Sequence, residues 1–153
     1  MQFVAEKDSG LIPQVLSKIL DSCVNGVTLA DPDLDDMPIV YANKAFTDMT
    51  GYSLEETIGQ NCRYLQGTDR EQEGRKKIRD AITKHESCEV TLRNYRKNGE
   101  LFYNRLNISA LFDRDGNVIY YLGVQYDVTK EILAEKEIKR LTEQLHNVAV
   151  PGD

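Results

Sequence analysis

The sequence predicts an α+β domain: five strands in one antiparallel sheet, with a group of short helices between the first two strands and the last three. Three observations predict it. Residues 88–96, 101–112 and 118–128 alternate between two side-chain faces, as half-buried strands do. Asn98-Gly99 and Asp115-Gly116 are the two-residue turn signals that join such strands into hairpins. Between an earlier, shorter hairpin and these strands lie several segments with helix-capping residues rather than strand alternation. At 153 residues the chain fits one domain with a core large enough to fold alone.

Taken in order, Leu11, Ile12, Val15, Leu16, Ile19, Leu20 and Cys23 recur at helical spacing and give residues 11–24 one apolar stripe, ended by Asn25-Gly26. This helix precedes the core and must pack on the domain or on a partner chain. Val27–Asp31 and Pro38–Ala42 read as a hairpin with a longer loop. The acidic run Asp33–Asp36 between them lacks calcium-loop spacing and reads as a solvated loop. Asn43–Thr50 is a short helix stopped by Gly51, and Ser53 with Glu56 forms a capping box for another, closed by Gly59. Thr68-Asp69-Arg70-Glu71 has the pattern of a second capping box, opening a longer helix to about His85. At the C-terminal end, Ile138, Leu141, Leu145 and Val148 follow a 3-4-3 spacing, with Ile132 and Leu133 nearer the sheet. Two heptads are short for a coiled coil; the pattern suits an amphipathic helix that packs on the sheet or pairs with its twin. Pro151 and a short tail follow, with no effector domain.

Bulk properties narrow the function. A formal net charge of −6 and the lack of a long basic run argue against direct nucleic-acid binding. No stretch is apolar enough for a membrane span, and Met1–Gly10 has no signal-peptide pattern. Cys23, Cys62 and Cys88 are an odd set in no metal-ligand spacing, which points to free thiols in a reducing cytoplasm. His85 and His146 are far from each other and from every cysteine, so no zinc site is expected. Phosphate-loop, dinucleotide-fingerprint and nucleophile-elbow motifs are absent.

The stretch Gly59–Gly67, G-Q-N-C-R-Y-L-Q-G, carries the chemistry. It places the Cys62 thiol between the Asn61 amide and the Arg63 guanidinium, with a second amide at Gln66 on the same side of a helical turn. Amides read donors and acceptors of a planar heterocycle, and arginine suits a phosphate. The plain alternative is a capping Asn, a half-buried Cys and a solvated Arg. Likewise Arg75 and Arg79, four apart, belong either to a basic pocket with Arg63 and Arg70 or to a solvated face balanced by Glu71, Glu73 and Asp80. The last three strands tip the balance. Each has a mainly apolar or small-residue face interrupted by one carboxamide: Asn94, Asn104 and Gln125. A buried amide without partners costs roughly 1–3 kcal/mol. Three on adjacent strands, facing Asn61 and Gln66, make sense as one wall of a pocket for a polar ring.

N-C-R-Y-L-Q resembles the NCRFLQ motif of LOV (light-oxygen-voltage) domains, the flavin-binding blue-light branch of the PAS fold. The likeness runs from about Gly26 to Thr129 through A-D-P, P-I-V-Y-A-N, T-G-Y, L-R-N-Y-R-K-N-G, F-Y-N and G-V-Q-Y-D. The chain is similar to bacterial short LOV proteins, which carry no output domain. The resemblance implies the PAS/LOV fold, with a core at residues 26–129, an N-terminal helical extension at 1–25 and a C-terminal helix and tail at 130–153. It implies a blue-light photoreceptor, not an enzyme, with Cys62 as the photoactive thiol that adds reversibly to carbon 4a of the flavin while ring nitrogen 5 takes a proton. Asn94 and Asn104, with Gln66, would read the ring's pyrimidine edge, and Gln125 would sense nitrogen 5. Arg63 and Arg79 match family phosphate ligands, Arg70 and Arg75 additional ones in some short LOV proteins. Asn61, Leu65, Leu92, Leu106 and Ile108 would complete the pocket. FMN is the implied cofactor, with riboflavin or FAD as other occupants. Gln125 would pass the change into the terminal helices, which with the outer sheet face would form a homodimer read by a downstream protein. Ala30, Tyr64 and Tyr103 depart from the commoner Thr, Phe and Trp of the family. The competing classes are a PAS sensor of a ligand or of redox state without photochemistry, and a thiol enzyme.

Overall fold

The computed structural model describes residues 11–149. Five strands form one antiparallel sheet: β1 (Gly26–Ala30), β2 (Ile39–Ala42), β3 (Cys88–Tyr95), β4 (Leu101–Phe112) and β5 (Val118–Asp127). Their order across the sheet is β2-β1-β5-β4-β3, so the first and last strands are neighbours at its centre. In register, Gly26 faces Gln125 and Thr28 faces Gly123 across that central pair. The helices are α1 (Leu11–Asp21), α2 (Lys44–Thr50), α3 (Leu54–Thr57), a 3-10 helix at Cys62–Gln66, α4 (Glu73–Lys84) and α5 (Thr129–Ala149).

The expected alternation holds in the long strands. Val90, Leu92, Asn94, Phe102, Asn104, Leu106, Ile119, Tyr121 and Gln125 are all buried on the inner face. The outer face of β5, from Val118 to Tyr126, is half-buried. Asn98-Gly99 and Asp115-Gly116 turn the two hairpins as their chemistry requires. Gly51 ends α2 in the left-handed region, φ 78°, and the Ser53–Glu56 capping box forms with both reciprocal bonds present.

One capping box does not form. Helix α4 starts at Glu73, not Thr68, and its N-cap Gln72 makes no capping bond. The Gln72 amide instead donates to Asp69 O and Arg93 O and accepts from Arg93 N at 2.8 Å. The Asp69 carboxylate takes Arg93 Nε and Nη2 in a fork. The peptide before α4 is thereby pinned to β3, and these bonds outcompete a helical start.

Asn43 joins three elements near the domain's N-terminal edge. Fully buried, it accepts from Val27 N and Phe46 N and donates to Leu20 O and Asn25 O. All its amide valences are used, which fixes α1 and α2 against β1. Along α1, Leu16 and Leu20 are half-buried while Val15 and Ile19 stay exposed. Helix α5 leaves β5 through a latch on Tyr103: Val128 N donates to Tyr103 O, Tyr103 N donates to Thr129 Oγ1, and Lys136 Nζ donates to Tyr103 OH at 2.7 Å. Beyond this latch Leu133, Ile138, Leu141, Leu145 and Val148 are exposed. Leu133 was expected nearer the sheet; Ile132 alone is half-buried there. Among the described residues no helix is long and apolar enough to cross a membrane. The polar segment 1–10 and the Pro151 tail lie outside the described residues.

Candidate functional site

A cavity of about 260 Å3 lies between the inner face of the sheet and the 3-10 helix with α4. The 3-10 helix begins at Asn61, whose side chain accepts from Arg63 N at 3.0 Å as an N-cap should. The Asn61 amide also donates to Asp36 O at 2.7 Å, so this residue works chiefly as the brace of the turn that presents Cys62. Tyr64 supports the turn from behind: its OH shares a hydrogen with Thr57 Oγ1 at 3.2 Å, and its ring meets Tyr52 edge-on at 5.1 Å. Burial pushes the Tyr64 phenol up to about 12.

Cys62 reaches the cavity from this turn. Burial pushes its thiol up to about 11, opposed by its side-chain contact with Thr28. No cation offsets the burial, so the group is a neutral thiol near pH 7. The other cysteines lie elsewhere, Cys23 exposed and Cys88 half-buried.

The three strand amides meet Gln66 at this cavity. Gln66, Asn94, Asn104 and Gln125 all line the cavity, and none is more than 5% exposed. Asn104 Nδ2 donates to Asn94 Oδ1 at 3.0 Å, Asn94 Nδ2 to Arg93 O at 3.0 Å, and Gln125 Nε2 to Thr28 Oγ1 at 3.1 Å. Among the described residues Gln66 Oε1, Asn104 Oδ1 and Gln125 Oε1 are buried acceptors with no protein partner. Each costs roughly 1–3 kcal/mol if left so. Three at one cavity describe a site shaped for a ligand edge that carries donors. Leu65, Leu92 and Leu106 are buried around it, with Ile108 half-buried, giving the apolar walls a flat ring needs.

The arginines divide. Arg75 and Arg79 line the cavity from α4, and Arg75 Nη1 also donates to Arg70 O. Arg63 lines the cavity too, but its guanidinium is ion-paired with Asp36 on the β1–β2 loop. Arg70 turns back on the local chain, its Nε donating to Gly67 O at 2.7 Å. Sequence reasoning missed Thr28, Phe46, Ile78, Ile82, Tyr121 and Gly123, all of which line the cavity. For Thr28 there was a signal. Gly26, Thr28 and Ala30 give β1 one face of small residues, which marks a strand with something bulky against it.

Comparison with known proteins agrees with this geometry. The sequence profile of the PAS domain family matches residues 24–130. The chain is 39% identical over 137 residues to a blue-light photoreceptor of Listeria innocua, covering 90% of this chain and 54% of that protein. It is 42% identical over 110 residues to blue-light-activated histidine kinase 1 of Erythrobacter litoralis, covering 72% of this chain and 30% of the kinase. A solved light-oxygen-voltage domain whose mechanism was probed with a flavin analogue superposes with a TM-score of 0.71 at 40% identity, covering 85% of this chain and 99% of that one. The chain thus spans about half the length of the photoreceptor it matches and less of the kinase. With its NCRYLQ turn, its five-stranded sheet and its converging amides, the chain belongs to the LOV branch of the PAS domain family.

Proposed function

We propose that this chain is a blue-light photosensory module that binds a flavin and senses light through Cys62, rather than a turnover enzyme. One observation carries the reading: a half-buried, protonated thiol shares a cavity with three partnerless amide acceptors. The residues fit the group. Asn104 and Gln66 offer acceptors to the polar edge of the ring, Leu65, Leu92, Leu106 and Ile108 pack on its faces, and Arg75 and Arg79 are placed for a phosphate. A terminal phosphate beside two arginines favours FMN over riboflavin or FAD. Arg63 is the weaker phosphate candidate because Asp36 already engages it, and Arg70 acts by holding the turn that Arg75 leans on. Asn61 contributes by bracing Cys62.

A bound flavin would supply blue-light absorption and, at ring carbon 4a and nitrogen 5, acceptors for a sulfur and a proton. Cys62, on the cavity wall, would be the residue to give both from its S–H group and to take both back in darkness. A thiol at about 11 is ionised in only about one molecule in ten thousand at pH 7, so Cys62 carries the proton it must deliver and is inert before excitation. A thiol enzyme needs the opposite arrangement, and a PAS sensor without photochemistry has no use for a sulfur there. Gln125 suits the sensing role because rotation exchanges its donor and acceptor ends. Its strand leads directly into α5 through Asp127 and Thr129. The exposed apolar stripe of α5, with Val15 and Ile19 of α1, supports a homodimer through the terminal helices.

The test is optical. The purified protein should be yellow, lose its blue absorption under blue light and regain it in darkness. Cys62→Ala should keep the colour, fluoresce strongly and no longer bleach reversibly. A wild type that never bleaches, or a Cys62→Ala variant that bleaches and recovers like it, defeats the reading.

A further inference from the structure

We propose that Asp36 sets how strongly the cavity prefers a phosphorylated flavin: its carboxylate competes with the flavin phosphate for the Arg63 guanidinium. The inference rests on the flavin-binding reading above and adds a selectivity-determining residue to it.

Arg63, Arg75 and Arg79 line the cavity, and among the described residues Arg63 alone of the three is ion-paired, with Asp36. Asp36 belongs to the β1–β2 loop, next to Met37, which lines the cavity as well. The two residues that flank Cys62 both grip it. Asn61 Nδ2 donates to the Asp36 main-chain oxygen at 2.7 Å, and the Arg63 guanidinium donates to the Asp36 carboxylate. Asp36 and Met37 have φ values of 63° and 46°, a left-handed path that side chains disfavour and that surrounding contacts must hold. Main-chain oxygens supply those contacts: Met37 N donates to Leu34 O at 3.1 Å, and Asn61 holds Asp36 O. The carboxylate is left with Arg63 as its partner.

A guanidinium shared between two anions holds each less firmly, and the anions repel one another. A flavin phosphate that turns to Arg63 must displace the Asp36 carboxylate or lie beside it against that repulsion. Riboflavin ends in a neutral hydroxyl and meets neither obstacle. Asp36 thereby narrows the advantage that Arg75 and Arg79 give to FMN. The Arg63 and Asp36 side chains are 43% and 58% exposed, so solvent screens the pair and its weight is that of a surface ion pair, about two- to fivefold in an equilibrium.

The test substitutes asparagine, which tolerates the left-handed conformation and leaves the main-chain oxygen to Asn61. The full chain as wild type, Asp36→Asn, Arg63→Gln and the double variant is equilibrated with an equal mixture of FMN and riboflavin. The bound flavins are then released and counted by chromatography. Asp36→Asn should hold FMN over riboflavin at a ratio about two- to fivefold above wild type. With Arg63→Gln already present, the same substitution should leave the ratio where it was. An unchanged ratio in Asp36→Asn overturns the proposal, because a loop that merely shapes the cavity affects both flavins alike. A gain of the same size without Arg63 also overturns it, since the cause would then be removal of a distant charge. If Asp36→Asn does not fold, Asp36→Gly accepts the same backbone path and carries the same expectation. If wild type binds neither flavin, the photoreceptor reading fails instead, and inorganic phosphate decides for Asp36. Phosphate should then raise the Tm of Asp36→Asn more than that of wild type, and the two Arg63→Gln proteins equally; equal shifts in Asp36→Asn and wild type overturn the competition.

Discussion

Replacing Gly123 by alanine asks how tightly the recess around Gln125 is built. The added methyl meets Thr28 Oγ1 at 2.7 Å, Gln125 Nε2 at 3.0 Å and Leu106 Cδ1 at 3.5 Å. Carbon and oxygen come to rest near 3.4 Å, so Thr28 must yield by more than about half an ångström. It is β-branched and buried, with its oxygen already bonded, and cannot simply rotate away. Overpacking of this kind costs roughly 1–3 kcal/mol. Breaking the Thr28–Gln125 bond with its donor still buried adds roughly 1–3 kcal/mol. The loss of glycine's freedom in the unfolded chain returns only about 0.4–1 kcal/mol. The net loss should be about 2–4 kcal/mol, lowering Tm by about 5–15 °C in a domain of this size. Urea unfolding followed by far-UV circular dichroism, with and without flavin, measures it. Thr28→Ala removes the clashing oxygen, so in the double variant the Gly123→Ala penalty should shrink by at least about 1 kcal/mol. A Gly123→Ala protein within about 0.5 kcal/mol of wild type, or strictly additive penalties, would refute the close packing inferred for β1 and β5.

Two further expectations concern the edges of the domain. Asp69 accepts a fork from Arg93 and the hydroxyl of Tyr95, and these bonds, Arg93 first, hold its carboxyl down to about 2. A depressed folded value stabilises the protein above the unfolded value, roughly 3.9, and that stability is lost as pH falls through about 2. Asp69→Asn should therefore lower the urea midpoint at pH 7, and the gap to wild type should close as pH approaches 2; a gap that persists there argues against the ion pair as its source. Leu145, 70% exposed on α5, should be replaceable by glutamate without loss of colour or stability, while self-association measured by light scattering weakens. An unchanged mass across concentrations would remove this stripe from the dimer.

The sheet was legible because its information is local. Period-two alternation and two glycine turns placed β3, β4 and β5 within a residue or two of their observed ends. The amides stood out for the same reason, as polar breaks in otherwise apolar faces. The start of α4 was not legible. Thr68 and Glu71 have capping spacing, but Asp69 and Gln72 are claimed by Arg93, more than twenty residues away, and local propensity yields to those bonds. Thr28 was only half legible: the small-residue face of β1 marked its strand, but its partner Gln125 lies 97 residues along the chain. The arginines show the reverse limit. Spacing put Arg63 beside Cys62, yet an aspartate from the acidic loop, read from sequence as merely solvated, engages it.

The central pairing of β1 with β5 also has a consequence for biosynthesis. Within this domain a ribosome makes β1 well before β5, so while the residues between them are synthesised the strand destined for the middle of the sheet has a bare edge facing solvent. Closing it requires a contact across most of the chain, which slows folding and lengthens the time in which another nascent chain can pair there. Gln125 and Gly123 arrive with that final strand. The pocket therefore has no complete wall until β5 has been made, and cofactor capture must wait for that strand. In cells short of flavin, the step that suffers would be the sealing of this last seam.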